Sequence, residues 1–439
     1  MNDIRSTVRQ VLSQLGASRE ARYYLGQFSN ADSKHFAVVK VGGAIIEEQL
    51  ESLASALALL RNLGLMPIVL HGAGPQLDAA LKEASIETVK QEGLRVTTPE
   101  VMSVIRPVIY RANRQIVKAL EEQEVRAQGI QHGVFECEYL DQEALGLVGE
   151  ITRVDLEAIR DAVNGGTLPV VACLGESATG QVMNINADVA ARELIWAVEP
   201  HKIIFLTSTG GLLNESGRVI SSISLKTDYE YLVNQSWVHS GMQLKLEQIR
   251  QILEKLPDSA SISITSVENL ARELFTHRGA GTLIRKGEEI MEFDQFNENS
   301  RQKAVGLLEQ SFRRQLKPEY FDDLPIKCVL ASESNGAMAI VLTGVDGLPY
   351  LDKFAVTPEA QGAGLGAAVW QVLVTRCPQL YWRSRVDNPV TSWYYEQADS
   401  SFTEDRWVAF SKGIKDFDQI RRCKADSLSK EESWLEEST

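Results

Sequence analysis

Three charged residues stand out because each lies in or beside a segment predicted to form a buried strand or to begin a helix. Lys40 lies inside an apolar strand, Asp188 opens a predicted helix in NINAD, and Lys245 follows a glycine in GMQLKL. A lysine in an apolar strand needs a partner or an anionic ligand, because burying an unpaired charge is costly. Taken singly, Asp188 could cap its helix and Lys245 could be a solvated surface lysine. Together they are the charges that a phosphoryl-transfer centre requires.

Glycine-rich turns follow three of the predicted strands. Two of them, Gly42–Gly43 and Gly72–Gly74, each lead into a predicted helix, and the third is TSTGG at 207–211. Backbone N–H groups approach phosphate oxygens closely where no Cβ intrudes, and helix N-termini favour anions. None of these turns matches a Walker A loop or GxGxxG. They predict a phosphate cradle of another kind.

The elements that must position these residues alternate regularly. Apolar strands and helices follow one another from residue 36 to residue 284. This pattern predicts a three-layer αβα fold with an open, mostly parallel sheet, which binds ligands at the carboxyl ends of its strands. After about residue 285 the pattern changes, and a smaller α/β domain is expected. We predict a helical arm at 1–30, a first domain at 31–285, a linker at 286–300, a second domain at 301–420 and a flexible acidic tail at 421–439.

Composition excludes several classes of protein. The formal net charge of −14 disfavours nucleic acid and anionic membranes as partners. The five cysteines are scattered and odd in number, as is typical of reduced structural thiols in a cytoplasmic protein. The six histidines show no zinc-ligand spacing, and no apolar run is long enough to span a membrane. The start of the chain also lacks a secretory signal pattern. We therefore expect a cytoplasmic protein without a protein-bound metal.

Five ordered motifs give the first domain a specific resemblance. KVGG (40–43), LHGAGPQLD (70–78), GLRVTT (93–98), NINADVAA (184–191) and GMQLKL (241–246) resemble the amino-acid kinase family, and within it the N-acetylglutamate kinases. The resemblance implies that Lys40 and Lys245 stabilise charge on the transferred phosphoryl group and that Asp188 holds both lysines. It also implies that Arg95 binds the α-carboxylate of N-acetyl-L-glutamate and that Asn184 assists.

The same resemblance assigns the glycine turns. Backbone N–H groups of Gly43, Gly72 and Ala73 would bind the phosphoryl and substrate ends. ATP, with its Mg²⁺ carried by the phosphates, would contact a set of strand-end residues: Lys40, Gly42, Gly43, Ser208, Gly210, Gly211 and Lys245. The attacking carboxylate is already ionised at pH 7, so no general base is needed. Two departures from the family pattern bear on the kinase: Ala73 replaces a glycine, and Ser208 replaces an aspartate.

The second domain resembles the GNAT acetyltransferases. QGAGLG (361–366) follows the strand YLDKFAVT and opens a helix, so its N–H groups suit a pyrophosphate. The resemblance implies that acetyl-CoA contacts one strand and this turn, through Phe354, Val356, Gln361, Gly362, Ala363, Gly364, Leu365 and Gly366.

A second motif narrows that resemblance. LYWRSRVDNPVTSWYYEQ (380–397) is similar to the acyltransferase domain of N-acetylglutamate synthases that are fused to kinase-like domains. It implies that Lys353 and Arg383 hold the carboxylates of L-glutamate, with Asn388 nearby. Tyr394 would protonate the departing coenzyme A thiolate, with Tyr395 as the alternative. The tryptophans of this motif are expected in the core.

The two resemblances fit together as successive steps of arginine biosynthesis, one domain making N-acetyl-L-glutamate and the other phosphorylating it. They further imply L-arginine as a feedback inhibitor and a homotetramer, with the amphipathic helix at 3–27 involved in both. Two alternatives remain open: a synthase whose kinase-like domain is only regulatory, and a kinase with a non-catalytic acetyl-CoA-binding module. A structural or nucleic-acid-associated role is disfavoured by the acidic balance.

Overall fold

The computed structural model describes residues 37–91, 93–200, 202–238, 240–257, 260–270, 273, 281–358, 360 and 364–435. The predicted arm at 1–30, with its helix at 3–27, lies outside the described residues. The chain forms two compact units, Met1–Lys286 and Gly287–Thr439. No helix in the described part of the chain is long and apolar enough to cross a membrane.

The first unit alternates strands and helices along the chain. Its strands are β1 (Ala37–Val41), β2 (Pro67–His71), β3 (Lys90–Gln91), β4 (Leu94–Arg95), β5 (Ala127–Ile130), β6 (Phe135–Tyr139), β7 (Gly149–Val154), β8 (Leu168–Ala172), β9 (Leu174–Glu176), β10 (Val182–Asn184), β11 (Lys202–Leu206), β12 (Ser222–Ser224), β13 (Ser261–Thr265) and β14 (Thr282–Arg285). Its helices are α1 (Gly43–Glu48), α2 (Leu50–Asn62), α3 (Gly74–Glu83), α4 (Pro99–Glu122), α5 (Gln142–Leu145), α6 (Glu157–Asn164), α7 (Ala187–Val198), α8 (Leu225–Val233) and α9 (Ser240–Glu254).

Eight of these strands form one sheet in the order β12-β14-β13-β11-β1-β2-β8-β5. All neighbouring pairs are parallel except β13 with β14. The central strands are largely buried and rich in β-branched residues because helices cover both faces. The predicted three-layer, mostly parallel sheet is confirmed. Two small sheets, β10-β9-β6-β7 and β3-β4, were not predicted.

The alternation of side chains along β1 divides the core between the two faces of the sheet. Val39 and Val41 pack into the cluster that includes α2 and α4, whereas Val38 packs into the cluster that includes α7 and α9. Successive strand residues point to opposite faces. Lys40 therefore lies on the face that α7 and α9 cover.

The second unit is smaller and is built on a single sheet. Its strands are β15 (Ile290–Phe293), β16 (Ile326–Ser332), β17 (Ala337–Thr343), β18 (Pro349–Val356), β19 (Leu380–Arg385), β20 (Ser400–Glu404) and β21 (Trp407–Lys412). Its helices are α10 (Glu298–Phe312), α11 (Leu365–Arg376), α12 (Thr391–Gln397) and α13 (Phe417–Ser429). The sheet order is β15-β16-β17-β18-β19-β21-β20. The expected smaller α/β domain is confirmed.

Two predicted boundaries were wrong. The span 286–300 is not a linker, because β15 pairs antiparallel with β16 and α10 begins at Glu298. The charged residues of this span led to the prediction of a linker, but an edge strand also tolerates charged residues. The span 421–439 is not a flexible tail throughout, because α13 buries Cys423 and Ser427 and residues 431–435 make ordered contacts with the unit.

Candidate active sites

An ion pair forms the centre of the first site. Lys40 Nζ lies 2.6 Å from Asp188 Oδ1, although the two residues are 148 positions apart. Asp188 lies in the first turn of α7, whose N-cap Asn186 accepts hydrogen bonds from the N–H groups of Asp188 and Val189. A carboxylate in this turn also interacts favourably with the helix dipole. The alternative that Asp188 caps its own helix is excluded, because Asn186 performs that role.

Lys245 completes the centre from α9. Burial lowers the pKa of Lys245, the positive charge of Lys40 lowers it further, and the negative charge of Asp188 opposes both effects. Burial raises the pKa of the Cys173 thiol to about 12, and the charges of Lys40 and Asp188 act on it in opposite directions. Lys245 is therefore not an isolated surface lysine. The structure pairs Asp188 with Lys40 and places Lys245 near enough for both charges to act on it, but within the described residues Asp188 makes no ion pair with Lys245.

The glycine turns lie beside this centre because their strands are neighbours in register. Val41 of β1 pairs with His71 of β2 on one side and with Leu206 of β11 on the other. The three turns thus follow adjacent strands at one edge of the sheet. A phosphate tail bound across the carboxyl ends of these strands would contact all three turns.

Gln76 ties the first two turns together. Its Nε2 donates to the carbonyl oxygen of Gly43 at 2.7 Å. A Cβ added at Gly43 would lie 2.6 Å from Gln76 Oε1 and 2.8 Å from Pro75 Cδ, so only glycine fits there. The N–H of Gly43 makes no hydrogen bond with any described residue, which leaves it available to a ligand.

The second turn corrects one prediction. The N–H of Gly72 donates to the carbonyl oxygen of Val41 at 3.2 Å, so it is not free to bind a substrate as predicted. Strand pairing continues one residue beyond β2 and uses this donor. The next N–H, that of Ala73, has no acceptor within the described part of the chain, although Ala73 is buried. The turn also approaches the ion pair, since a Cβ added at Gly72 would lie 3.2 Å from Ala187 Cβ.

The buried residue Thr97 links the side chain of Asn184 to the backbone of Arg95. Asn184 Nδ2 donates to Thr97 Oγ1 at 3.0 Å, and Thr97 Oγ1 donates to the carbonyl oxygen of Arg95 at 2.8 Å. The Arg95 guanidinium donates to Thr88 Oγ1 and to Asp78 Oδ1. Burial opposes ionisation of Asp78, but the hydrogen bond from Arg95 and its charge lower the pKa of Asp78 overall. Arg95 is thus charge-compensated by Asp78.

The third turn is built against β13 and β14. Gly210 has a φ of +69°, and a Cβ added at Gly211 would lie 2.5 Å from Val219 Cγ1. Thr282 Oγ1 accepts a hydrogen bond from the N–H of Leu212 at 2.8 Å, which fixes the end of the turn. Ser208 is exposed at the tip. Both glycines are therefore required by the turn itself, whether or not nucleotide binds there.

In the second unit, a β-bulge separates two parallel strands. β17 pairs with β18 through Ile340–Lys353 and Val341–Leu351, so Asp352 is an extra residue. β18 then pairs with β19 only at Tyr350–Tyr381 and Leu351–Trp382. A bulge bends its strand and interrupts the ladder. The strands diverge beyond Leu351, and the predicted ligand residues of β18 lie along the opening.

Lys353 is buried within a polar and aromatic cluster. Its Nζ donates to Asp352 Oδ2 at 2.5 Å and to Ser433 Oγ at 2.9 Å, and it lies 4.7 Å from the centre of the Tyr320 ring. Tyr320 Oη also donates to Asp352 at 2.7 Å. Burial raises the pKa of Asp352, but the charge and hydrogen bond of Lys353 outweigh it and lower the pKa overall. Asp352 is therefore an ionised counter-charge.

Arg383 contacts the same stretch of chain as Lys353. Its Nη2 donates to the carbonyl oxygen of Glu431 at 3.0 Å, and its guanidinium lies 4.1 Å from the centre of the Trp407 ring. We call residues 431–435 the C-terminal segment. Because Glu431 and Ser433 are two residues apart, the cations that they contact face one small region. The structure thus brings Lys353 and Arg383 together, as predicted.

Asn388 makes its hydrogen bonds within the turn that follows β19. Its Nδ2 donates to Ser384 Oγ at 3.1 Å, and its Oδ1 accepts from the N–H of Val390 at 3.1 Å. Both ends of the side chain therefore stabilise the turn that joins β19 to α12. Within the described residues, Asn388 acts on the local backbone.

Tyr394 lies in an aromatic cluster on the other face of the sheet. Its ring centre is 5.5 Å from that of Trp382 and 5.7 Å from that of Phe410, and burial raises its pKa. Its hydroxyl makes no hydrogen bond with a described residue. Tyr395, the predicted alternative, is 48% exposed. The predicted core position of Trp382 is confirmed.

The remaining acetyl-CoA prediction is only partly covered by the structure. Gln361, Gly362 and Ala363 lie outside the described residues. Gly364 precedes α11 with a φ of +78°, and Leu365 begins the helix. A Cβ added at Gly366 would lie 2.9 Å from Val356 Cγ2, and Phe354 stacks on Trp393. The start of α11 therefore packs closely against β18.

Two family models match the chain, one for each unit. The model of the amino acid kinase family matches residues 35–265, which is more than half of the chain. The chain belongs to the amino acid kinase family. The model described as the N-acetyltransferase of N-acetylglutamate synthase matches residues 288–429. We therefore refer to a kinase unit and an acetyltransferase unit.

Known proteins match this chain across both units and over most of their own length. The acetylglutamate kinase of Xylella fastidiosa (strain 9a5c) is 47% identical over 411 residues, which cover 94% of this chain and 97% of the relative. The human mitochondrial N-acetylglutamate synthase is 29% identical, over 94% of this chain and 76% of the relative. The crystal structure of N-acetylglutamate synthase from Neisseria gonorrhoeae has the same fold, with a TM-score of 0.62 at 19% identity, covering 91% of this chain and 99% of that one. That synthase has been solved with coenzyme A and N-acetyl-glutamate, and with coenzyme A and L-arginine.

Several site residues were missed at the sequence level. In the kinase unit they are Gln76, which joins two turns, and the buried polar pair of His71 and Asn113. In the acetyltransferase unit they are Asp352 and Tyr320. Gln76 and His71 lie inside a motif that was recognised, and Asp352 adjoins Lys353, so sequence proximity could have indicated them. Asn113 and Tyr320 carry no such signal, because only the fold brings them to the site.

Proposed function

We propose that the kinase unit transfers the γ-phosphoryl group of ATP to the γ-carboxylate of N-acetyl-L-glutamate. The observation that carries this proposal is the ion pair of Lys40 and Asp188 with Lys245 beside it, next to backbone N–H groups that have no partner among the described residues. Two cations and free donors at one sheet edge suit a transition state whose charge is spread over phosphoryl oxygens. The acetylglutamate kinase relative supports this substrate.

The chemical step needs few protein groups. A γ-carboxylate oxygen attacks the γ-phosphorus in line, and the bond to the oxygen that bridges the β- and γ-phosphorus atoms breaks as ADP leaves. Lys40 and Lys245 neutralise the developing charge, and Asp188 orients Lys40. The described residues bring no three His, Cys, Asp or Glu side chains together as a metal site. Mg²⁺ carried by ATP would supply further charge neutralisation.

We further propose that the acetyltransferase unit makes N-acetyl-L-glutamate from L-glutamate and acetyl-CoA. Lys353 and Arg383 would hold the carboxylates on the face of the sheet that includes Tyr320, and the thioester would enter from the face that includes Tyr394. The neutral amine attacks the thioester carbonyl, and the C–S bond breaks. Tyr394 protonates the departing thiolate, and the proton lost by the amide nitrogen passes to solvent, which reprotonates Tyr394. The raised pKa of Tyr394 keeps this proton in place at neutral pH.

Regulation and assembly extend the proposal. L-arginine is the expected inhibitor, with support from the crystal structure of the Neisseria synthase that contains it. The homotetramer and the cytoplasmic location remain predictions from the sequence. Titrating L-arginine into assays of both activities would show which unit responds.

Two assays on the purified chain test the proposal. With MgATP, ADP should be released only when N-acetyl-L-glutamate is present. With acetyl-CoA, free thiol should appear only when L-glutamate is present. Absence of the first reaction would leave a synthase with a regulatory kinase unit. Absence of the second would leave a kinase with a non-catalytic acetyl-CoA-binding module.

A further inference from the structure

Two fully buried polar side chains lie behind the second glycine turn. His71 ends β2, and Asn113 lies on the inner face of α4. Asn113 Nδ2 lies 3.1 Å from His71 Nε2 and donates to the carbonyl oxygen of Val170 at 2.9 Å. On its other side, His71 Nδ1 lies 3.4 Å from the carbonyl oxygen of Gly72. A polar chain thus links β8 and α4 to the turn.

The contacts determine where the imidazole proton lies. The Asn113 nitrogen must face Val170, because a carbonyl oxygen can only accept. The same nitrogen faces His71 Nε2, which therefore has to be the acceptor. The proton of the neutral ring is then on Nδ1, where it donates to Gly72. Burial lowers the pKa of His71 to about 4, so the ring stays neutral at physiological pH.

Holding the Gly72 carbonyl has a consequence for the next N–H. In a trans peptide the C=O of one residue and the N–H of the next point in opposite directions, and none of the described peptides is cis. With the Gly72 carbonyl directed at His71, the Ala73 N–H points away from it. That N–H has no acceptor in the described part of the chain. The Gly72 N–H, by contrast, is already bonded to Val41.

We propose that His71 is a positioning residue for phosphoryl transfer, which aims the Ala73 N–H at the ligand by holding the Gly72 carbonyl. This inference rests on the proposed kinase function. It also explains how alanine is tolerated in this turn, since the required group is a backbone donor and the side chain at position 73 does not provide it.

A matched pair of variants tests the proposal. The amide nitrogen of asparagine can occupy the place of imidazole Nδ1, whereas that of glutamine reaches the place of Nε2. His71→Asn should keep the kcat for ADP release within about threefold, and His71→Gln should lower it by about tenfold or more, as for loss of one transition-state donor. KM for MgATP and for N-acetyl-L-glutamate should change less than kcat. Thiol release by the acetyltransferase unit serves as the internal control.

The outcomes separate the possible failures. Equal loss in both variants, or greater activity in His71→Gln, overturns the positioning role. Absence of ADP release by the unchanged chain instead rejects the kinase function. If neither variant folds, ¹⁵N NMR of the histidine-labelled chain decides. A neutral Nδ1–H ring that does not titrate between about pH 5 and pH 8 supports the proposal, whereas an Nε2–H ring overturns it.

An independent observation concerns the C-terminal segment. Its oxygens accept from both proposed glutamate-binding cations, Arg383 through the Glu431 carbonyl and Lys353 through Ser433 Oγ. The segment is anchored nearby, since the Glu432 carboxylate pairs with Arg406 at 2.9 Å.

Backbone and aromatic contacts hold the same segment on the unit. The N–H of Lys317 donates to the Ser433 carbonyl at 3.0 Å, and that of Leu435 donates to the Gln315 carbonyl at 2.9 Å. The Trp434 ring packs against that of Phe312. The segment is therefore seated over the cations by contacts that do not involve them.

We infer that residues 431–435 form a strap whose oxygens occupy the places of substrate carboxylate oxygens, so that L-glutamate must displace it. This second inference rests on the proposed acetyltransferase function. Charge-assisted hydrogen bonds to a carboxylate are stronger than those to a carbonyl or hydroxyl oxygen, which allows the exchange.

Two truncated chains provide the test. A chain ending at Lys430 lacks the strap, and a chain ending at Leu435 keeps it. The first should show a KM for L-glutamate lower by about threefold or more, because competition by the strap is removed. Its kcat and its KM for acetyl-CoA should be unchanged. The second should match the full chain in all three constants.

An unchanged or raised KM for L-glutamate in the shorter chain overturns the strap, whereas no thiol release by the full chain rejects the acetyltransferase function. If the shorter chain does not fold, hydrogen exchange on the full chain replaces it. The Leu435 amide should exchange faster when L-glutamate and coenzyme A are added, and unchanged or slower exchange contradicts the strap.

Discussion

Lys40 in the kinase unit and Lys353 in the acetyltransferase unit are both strand lysines paired with an aspartate, but they differ in burial. The side chains of Lys40 and Asp188 are 17% and 37% exposed, whereas those of Lys353 and Asp352 are 7% and 13% exposed. The first pair faces donors that have no partner in the described residues. The second pair is covered by an aromatic ring and by the C-terminal segment.

The difference shows two ways of keeping a cation ready for an anionic substrate. In the kinase unit, the charge is balanced by a neighbouring carboxylate and the site remains open to a phosphate tail. In the acetyltransferase unit, oxygens of the chain itself satisfy the cations until a carboxylate replaces them. Buried charges must be paired, so the more enclosed site needs the more complete set of partners.

The largest expected effect is at Asp188. Replacing it with alanine removes the counter-charge that holds Lys40 and leaves two lysines in mutual repulsion. We expect Asp188→Ala to lower the kcat for ADP release by about 10³-fold, while thiol release stays within about twofold. Steady-state assays of both reactions on one preparation measure this. A parallel fall in thiol release would mean that the two sites are not independent.

Arg95 tests the substrate end of the kinase site. Lysine keeps the charge but has one nitrogen in place of the two from which the planar guanidinium donates. We expect Arg95→Lys to raise KM for N-acetyl-L-glutamate by about 10- to 100-fold with a smaller change in KM for MgATP. Initial rates at varied substrate measure both constants. An equal rise in both would remove Arg95 from carboxylate recognition.

The two ion pairs should also differ in how much they contribute to the stability of the fold. Lys353→Met leaves Asp352 buried without its main counter-charge, which should lower the free energy of unfolding by about 3 kcal/mol. The matched change Lys40→Met leaves Asp188 partly solvated and should cost less than about 1 kcal/mol. Thermal or denaturant unfolding of both variants gives the values. Similar losses at the two positions would contradict the proposed difference between an enclosed and an open site.

The smallest expected effect is a shift in pH dependence. The pKa of Lys245 is lowered, so its proton is lost at a lower pH than that of a free lysine. The kcat of the kinase reaction should therefore fall at alkaline pH, and the fall should begin below the pH at which a free lysine loses its proton. In Asp188→Asn, the negative charge that raises this pKa is gone, and the alkaline limb should move to still lower pH. A limb that does not move would show that Asp188 and Lys245 are not coupled.

Much of the fold followed from the sequence because its central strands are short runs dominated by β-branched residues and bounded by turns and helices. β1, β2, β8, β11 and β13 were located in this way. The small sheet of β6, β7, β9 and β10 was missed because β6 and β7 carry charged residues at exposed positions and β9 and β10 have only three residues each. β15 and α13 were missed because their charged residues are equally typical of linkers and tails.

The site was predictable where a charged residue stood out against an apolar background. Lys40, Asp188 and Lys245 are of this kind, whereas Lys353 and Arg383 were predicted only from the resemblance of their motifs. Partners contributed from distant parts of the chain were not predictable. Asn113 reaches His71 from a helix 42 positions away, and Ser433 reaches Lys353 across 80 positions. Only the folded chain reveals that the predicted Gly72 donor is used by Val41.

The most direct test of the account is a paired assay of Lys40→Ala and Tyr394→Phe in the full chain. We propose that one polypeptide carries two separate reaction centres. Lys40→Ala should abolish N-acetyl-L-glutamate-dependent ADP release and leave thiol release intact, and Tyr394→Phe should do the reverse. Loss of both activities in either variant, or full activity of either variant in the reaction assigned to the changed residue, would contradict it.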